Sequence, residues 1–388
     1  MVPNGWKICT IDEVAEVKGG KRLPKGFSLV SENTGYPYIR IADINSKGIN
    51  LDNIKYIPEN AAKKISRYTI SKDDIFITVA GTIGLVGEVP AELDGANLTE
   101  NADKLTDIKI NKKYLMEVLN SSLIKNKIEA SKTQNAQPKL AIERIKKFTL
   151  LSPPVAEQKK IARILSTWDK AIIITEQLLA NSQQQKKVLM QQLLTGKKRL
   201  LDENRVRFSN AWEKGNLSDL GNITKGKALS TKDIVNGDYP VIAGGKKSPY
   251  THNNFTHEDI ITVSASGAYA GYVSYHPYKL WASDCSVISP KSNSDIIFIF
   301  HTATYLQERI YSLQSGGAQP HIYPKDLKAL KINIPTLKEQ QKIAAVLSSA
   351  DKEITVLQQK LDMLKQEKKA LMQQLLTGKR RVKVEEAA

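Results

Sequence analysis

The sequence predicts an α+β protein: two globular domains separated by a long antiparallel two-helix coiled coil, forming an internal repeat about an approximate two-fold axis. Three observations predict it. "LMQQLLTGKKR" at residues 189–199 returns as "LMQQLLTGKRR" at residues 371–381. The segments leading into these stretches carry apolar residues at alternating steps of four and three. Ahead of each segment, short β-type runs such as "YPYIRIADI" and "YPVIAGG" alternate with turn residues.

The repeat extends well beyond its eleven most obvious letters. From residue 157 to 199, 25 of 43 positions match their counterparts 182 residues later without a gap, which marks a duplication rather than chance. "AQP" at 136–138 and at 318–320 keeps the same offset. Near the start of each half the offset is 206, where "NGW" (4–6) resembles "NAW" (210–212) and "GKRL" from Gly20 resembles "GKAL" from Gly226. The first half therefore holds about 24 extra residues between those anchors. The layout is variable block (1–151), shared segment (152–200), variable block (201–333), shared segment (334–388).

The shared segments read as long helices. Pro153, Pro154 and Pro335 stand at their starts, where proline is tolerated. No further Pro or Gly intervenes before Gly196 and Gly378, which suit a helix end followed by basic residues. About 40 residues of helix span roughly 60 Å and need a partner to be stable. In the first copy Ile161, Leu165, Trp168, Ile172, Leu179, Leu189 and Leu193 follow a 3.5-residue seam, with Thr175, Ser182 and Lys186 as polar members. In the second copy the seam is Ile343, Leu347, Ile354, Leu357, Leu361, Leu364, Leu371 and Leu375, with Ala350 and Lys368. Such a seam is a coiled-coil signature, although a helix lying on a globular core shows a similar stripe. Two copies in one chain favour a mutual antiparallel pair, centred near Thr175 and Leu357.

The variable blocks read as α+β with strand-built centres. Ile75, Ile77 and Val79 alternate as a half-buried strand does, and Ile297 with Ile299 follows suit. Helices are expected late in each block, over 113–131 and 295–312, and residues 197–207 form a charged connector.

Composition bounds the function. The 388 residues include 57 Lys and Arg against 40 Asp and Glu, a net charge of +17, which favours a polyanionic partner such as nucleic acid. No apolar run is long enough to span a membrane, and the N-terminus lacks a secretory pattern. The two cysteines, Cys9 and Cys285, fall in opposite halves, so no disulfide framework is expected and a cytoplasmic location is the simple reading.

Catalytic patterns are missing. No GxxxxGK[ST] loop occurs, and "GTIGLVG" (81–87) reads as a turn after a strand. The five histidines lack metal-ligand spacing. "SPPV" at 152–155 is not the base-gripping loop of an amino-methyltransferase, and no GxSxG elbow surrounds Ser264 or Ser266. No catalytic residue, metal or cofactor is therefore expected in this chain.

Nucleic-acid features are better represented. "KGGKRLPKG" (18–26) and "TKGKALSTK" (224–232) are Gly-Lys loops at equivalent places, whose Lys18, Lys21, Arg22, Lys225 and Lys227 suit phosphates. The amide-rich "SKTQNAQPK" (131–139) offers Lys132, Gln134 and Gln137, and "LQSGGAQPHIY" (313–323) offers Gln319 and His321, side chains that can address base edges. Arg40, Lys63, Lys64, Arg67, Lys246, Lys247 and Tyr269 complete the candidate DNA-binding set. Solvated loops and capped turns explain the same stretches without a ligand.

Taken together, these segments resemble the specificity subunit of type I restriction–modification systems over essentially the whole chain. "PPVAEQKKIARIL" and "IPTLKEQQKIAAVL", each leading to "LLTGK", carry the resemblance, with Trp6, Trp212 and "SGAYAGY" (266–272); "GTIGLVG" is a looser match. The resemblance implies two target-recognition domains, each reading one half of a split sequence in double-stranded DNA. It implies helices that set the half-site spacing and dock two methyltransferase subunits, with restriction subunits joining the complex. Catalysis, with S-adenosylmethionine, ATP and Mg, would belong to those partners. Self-association of the isolated chain as a homodimer is compatible with it. The alternatives are a stand-alone basic coiled-coil interaction protein and a nucleic-acid enzyme acting alone.

Overall fold

The computed structural model describes residues 2–131, 138–245, 248, 250–316 and 319–383. The chain divides into two compact units, Met1–Ile174 with Leu361–Ala388, and Thr175–Lys360. Two long helices, Val155–Leu194 of 40 residues and Leu337–Leu375 of 39, each give one half to either unit.

In the first unit, strands Glu16–Gly19, Ala102–Thr106, Ile75–Thr78 and Val86–Glu88 form an antiparallel sheet in that spatial order. A second sheet is mixed: Lys55–Tyr56, Pro37–Ile39, Ala96–Leu98 and Thr69–Ile70, with Pro37–Ile39 parallel to Ala96–Leu98. Lys7–Thr10 pairs with Thr149–Ser152 just before the first long helix. The helices Lys112–Asn120 and Ser122–Ser131 cover the first sheet, the former capped by the Asn111 side chain accepting from Tyr114 N at 3.0 Å. Ile75 and Ile77 face this helical cover, while Phe76 joins a separate core with Ile39, Ile70 and Leu98. Residues 75–78 are thus buried on both faces, where the alternation suggests one solvated face.

The second unit repeats the plan. Gly221–Lys225, Cys285–Pro290, Ile260–Ser264 and Val273–His276 form the antiparallel sheet, and Thr251–His252, Tyr239–Ile242 and Trp281–Ala282 the mixed one. Glu213–Asn216 pairs with Lys331–Ile334. Ile297 and Ile299 belong not to a strand but to the helix Ile296–Tyr305, capped by Asp295 accepting from Phe298 N at 2.8 Å. Two alternating isoleucines are too short a pattern to separate a strand from a buried helix.

Much of the first half's surplus lies between Ile39 and Ile75. Thirty-six positions separate Ile39 from Ile75, whereas nineteen separate their counterparts Ile242 and Ile261. Besides the strands Lys55–Tyr56 and Thr69–Ile70, that interval holds the hairpin Ile44–Asn45 with Gly48–Ile49 and the helix Glu59–Lys64.

Within each unit the two helix halves run antiparallel. In the first, Lys368 Nζ meets Asp169 at 2.6 Å and Glu117 at 3.0 Å. In the second, Lys186 Nζ meets Asp351 at 2.5 Å and Ser182 Oγ meets Glu353 at 3.0 Å. These pairings correct the expected register. Centring on Thr175 and Leu357 would set Asp169 near Met363, which is instead exposed, and Asp169 faces Lys368 five positions further on. The polar seam members Lys186 and Lys368 therefore set the register through ion pairs.

The seam also has a second duty. Ile161 and Leu165 lie in the first unit's main core together with Leu375, and Ile343 and Leu347 lie in the second unit's core with Leu193. The helix ends are part of the domain cores, so the seam is partly of the helix-on-core kind. Leu179 and Leu361 are buried as well, while Trp168, Ile172, Leu189, Ile354, Leu357, Leu364 and Leu371 are half-buried.

Candidate nucleic-acid interface

The loops singled out by sequence gather at the start of one inner strand of the antiparallel sheet in each unit, the central strand Ala102–Thr106 in the first and Cys285–Pro290 in the second. In the first unit Gly20 N donates to Ala102 O at 3.0 Å and Lys21 N to Leu98 O at 2.8 Å, so the Gly-Lys loop lies on the chain entering strand Ala102–Thr106. In the second, Gly226 N donates to Cys285 O and Lys227 N to Ala282 O, both at 2.8 Å. A Cβ on Gly20 would fall 2.0 Å from Thr99 O, and one on Gly226 2.3 Å from Ser283 O. Only glycine permits that approach. The carbonyl of the lysine is held in turn, Lys21 O by the Tyr38 hydroxyl at 2.8 Å and Lys227 O by the Trp281 indole at 2.8 Å.

A glycine loop follows the neighbouring strand in each unit. Gly84 N donates to Thr78 O and Gly271 N to Ser264 O, both at 2.8 Å, with Gly81 and Gly267 at φ 74° and 78°. "GTIG" and "GAYAG" are therefore the same loop, one residue longer in the second unit. That insertion obscures the match. The segment returning from the amide-rich stretch closes the group: Leu140 N donates to Val79 O and Ile322 N to Ala265 O, both at 2.9 Å. Lys139 and His321 thus occupy equivalent places, bridged to Ala80 and Ser266.

The candidate side chains differ in how far they are already engaged. Lys18 pairs with Glu16 at 2.5 Å and Arg22 with Glu100 at 2.6 Å. Lys21 Nζ lies 5.5 Å from the Tyr68 ring and Lys227 Nζ 5.2 Å from the Trp281 ring. Arg40 grips Asp43 and donates to Asn53 O at 2.9 Å, closing the hairpin region beside it. Asp43 holds the Arg40 guanidinium above its ordinary pKa, so this arginine acts as an internal clamp. Lys63 pairs with Glu59 at 2.9 Å, and Lys64 lies 4.8 Å from the Phe27 ring. Arg67, Lys225, Tyr269 and Gln319 are exposed, and His321 stacks on Tyr323 with ring centroids 6.3 Å apart. Lys132, Gln134, Gln137, Lys246 and Lys247 lie outside the described residues.

Two residues that motif reading missed sit between these loops. The carbonyl of Asn101 accepts from Val79 N at 2.8 Å, and that of Asp284 accepts from Ala265 N at 3.1 Å. Both side chains are half-buried, and Asp284 accepts from the Ser266 hydroxyl. Their counterpart offset is 183, not 182 or 206, so no fixed-offset comparison brings them into line.

The helix starts repeat as closely as the loops. The Gln158 amide accepts from Asn111 N at 2.8 Å and donates to Pro153 O at 2.8 Å. Gln340 accepts from Asp295 N at 3.0 Å and donates to Pro335 O at 2.9 Å. These contacts give the shared "EQ" a physical meaning: it seats each helix start on its domain.

A family of known proteins carries the same organisation. The chain matches the model of the type I restriction modification DNA specificity domain twice, over residues 3–181 and 210–366. A specificity subunit of Methanocaldococcus jannaschii designated MjaX is 25% identical over 412 residues, covering 98% of this chain and 95% of that protein. The type I restriction enzyme MjaVIII specificity subunit of the same organism is 24% identical over 426 residues, covering 98% and 94%. The S subunit of a type I restriction-modification system from M. genitalium shares the fold with a TM-score of 0.66 at 18% identity, covering 97% of this chain and 98% of that one. A chain from a structural study of the assembly and conformational transition of the type I R-M system gives 0.58 at 16% identity, covering 98% and 100%. With both halves matched, the chain belongs to the type I restriction–modification DNA specificity family.

Proposed function

We propose that this chain is the non-catalytic DNA-recognition subunit of a type I restriction–modification complex, in which each unit reads one half of a bipartite target. The observation that carries this reading is the paired constellation. The same Gly-Lys loop, glycine loop and returning segment are built twice, with different side chains on equivalent backbone hydrogen bonds. A repeated frame with varied side chains suits two different half-sites recognised in the same manner. The exposed lysines of the Gly-Lys loops supply phosphate contacts, and the net charge of +17 favours encounter with DNA.

The two long helices have no Pro or Gly in 40 and 39 residues, which supports a spacer that fixes the distance between half-sites. In the proposed complex their surfaces dock two methyltransferase subunits, and restriction subunits complete the assembly. S-adenosylmethionine, ATP and Mg act in those partners, where methyl transfer and cleavage take place. The test is to express the chain with its methyltransferase partner in a host lacking other methylation, then map modified sites genome-wide. One bipartite sequence is expected; modification of no defined sequence would overturn the reading.

A further inference from the structure

Asn101 and Asp284 stand where the Gly-Lys loop, the glycine loop and the central strand meet, one in each unit. The Asn101 amide makes no side-chain hydrogen bond among the described residues, although it is half-buried. Asp284 accepts from Ser266 and has no cationic partner among the described residues. The second unit's frame also brings Gly244 close: a Cβ there would lie 2.9 Å from Ser266 O and 3.4 Å from an Asp284 carboxylate oxygen.

A carboxylate repels phosphates, so Asp284, with no cationic partner among the described residues, is not itself a phosphate contact. What it does well is accept a hydrogen bond from an amino group on a base edge, such as cytosine N4 in the major groove. An amide in the same position offers a donor and an acceptor together, which matches the N6 and N7 edge of adenine. The Ser266 hydroxyl occupies one carboxylate oxygen and fixes the Asp284 rotamer. The equivalent residue in the first unit, Ala80, has no such group. The lysines of the adjoining loops hold the backbone in register while the central side chain reads.

We propose that Asn101 and Asp284 are specificity-determining residues, each reading the amino group of one base in its own half-site, with Ser266 as a positioning residue for Asp284. The proposal rests on the reading that each unit recognises one half-site. Asn101 is assigned to adenine, and Asp284 to cytosine as a pure acceptor.

The experiment uses the full chain with its methyltransferase partner and reads the methylated sequence of wild type, Asp284→Asn, Asn101→Asp and Ser266→Ala. Asp284→Asn should change the preference at one base pair of one half-site, with about a tenfold or greater loss at the original target and the gap unaltered. Asn101→Asp should do the same in the other half-site. Ser266→Ala should keep the sequence but modify it more slowly. If both exchanges modify the original target at the wild-type rate, the proposal is wrong while the half-site reading stands. If they instead lose all sites equally and melt earlier, their role is structural and the proposal is equally wrong. A wild-type complex that modifies no bipartite sequence would remove the half-site reading itself.

Discussion

The Trp6 indole donates to the carboxylate of Glu157 at 3.0 Å, joining residues 151 positions apart at the buried start of the first long helix. The Arg381 guanidinium completes the contact, its Nε and Nη2 reaching the two Glu157 oxygens at 2.8 and 2.9 Å. Burial would raise the Glu157 carboxyl, yet Arg381 and Trp6 outweigh it and hold the group below the ordinary carboxylate range. The second unit builds the same knot. Trp212 donates to Glu339 at 3.0 Å, and Arg199 grips both oxygens at 2.6 and 2.7 Å. This is why "LLTGK" is followed by a basic pair: the last arginine returns to the start of the other helix.

Arg199→Ala should leave the Glu339 carboxylate, 1% exposed, buried without its cation, at a cost of about 3–5 kcal/mol. Arg199→Lys should recover only part of this, because an ammonium does not match both oxygens in the plane. Denaturant unfolding of the three proteins measures the difference, and equal midpoints would contradict the knot's importance.

Gly196 and Gly378 end the two helices at φ 73° and 67°, but their surroundings differ. A Cβ on Gly378 would fall 2.3 Å from Pro3 Cγ, whereas one on Gly196 would meet Trp212 carbons at an ordinary 3.5 Å. Gly196→Ala should cost about 1 kcal/mol for the left-handed backbone. Gly378→Ala should cost distinctly more, since the ring must also move. Melting temperatures in the reverse order would refute this account.

The register of the helix pair is testable through its ion pairs. Asp169→Lys should destabilise the first unit, because it removes one of the two carboxylates around Lys368 and sets a second ammonium group beside it. Adding Lys368→Asp restores an opposite-charge pair at the same two positions and should recover part of the loss. A coupling of zero in this double-mutant cycle would return the register to the one centred on Thr175 and Leu357. Independently of register, Leu179→Asp and Leu361→Asp should each cost several kcal/mol, since both leucines are buried. Unchanged melting of either would argue against a packed seam.

His301 gives the second unit a pH dependence. Both its ring nitrogens are buried without a hydrogen-bond partner among the described residues, and Asp351 lies 3.9 Å away. Burial pushes its pKa down to about 4, with Lys186 adding to the effect and Asp351 opposing it. Between pH 6.5 and 4 the unfolded chain therefore binds a proton that the folded chain does not. Stability is fully present above 6.5 and falls as the pH is lowered, by roughly 3 kcal/mol at most for this group. His276, also held near 4 by burial, contributes in the same direction. His301→Gln should shallow the fall in melting temperature between pH 6.5 and 4.5 without abolishing it. An identical slope would show that His301 is protonated in the folded state.

The parts legible in the sequence are those with a fixed offset or a strong period. Residues 157–199 and their copy keep one offset, so the helices, their proline starts and their glycine ends follow directly. Burial on both sides of Ile75–Thr78 is hidden, because the second sheet that covers Phe76 comes from residues distant in sequence. The helix register is hidden as well: apolar spacing defines a seam but not which turn faces which, and that choice falls to Lys186 and Lys368. Asn101 and Asp284 escape notice because small insertions shift the offset between the halves several times around them. Only the backbone hydrogen bonds bring them into correspondence.

The lysines of the Gly-Lys loops should act without regard to sequence. Lys21→Ala and Lys227→Ala should weaken binding to all DNA sequences and reduce the salt dependence by about one unit of slope for each phosphate left without its lysine. Fluorescence anisotropy across a salt series measures both. A change confined to one target sequence would assign these lysines to base reading.

Independent reading of one half-site by each unit is what the proposed function rests on. Its most direct test replaces residues 1–151 with the corresponding domain of another specificity subunit and maps the methylated sequence of the resulting complex. One half-site should change while the other half-site and the gap are retained. A change in both half-sites, or in neither, in a complex that still modifies DNA would contradict it.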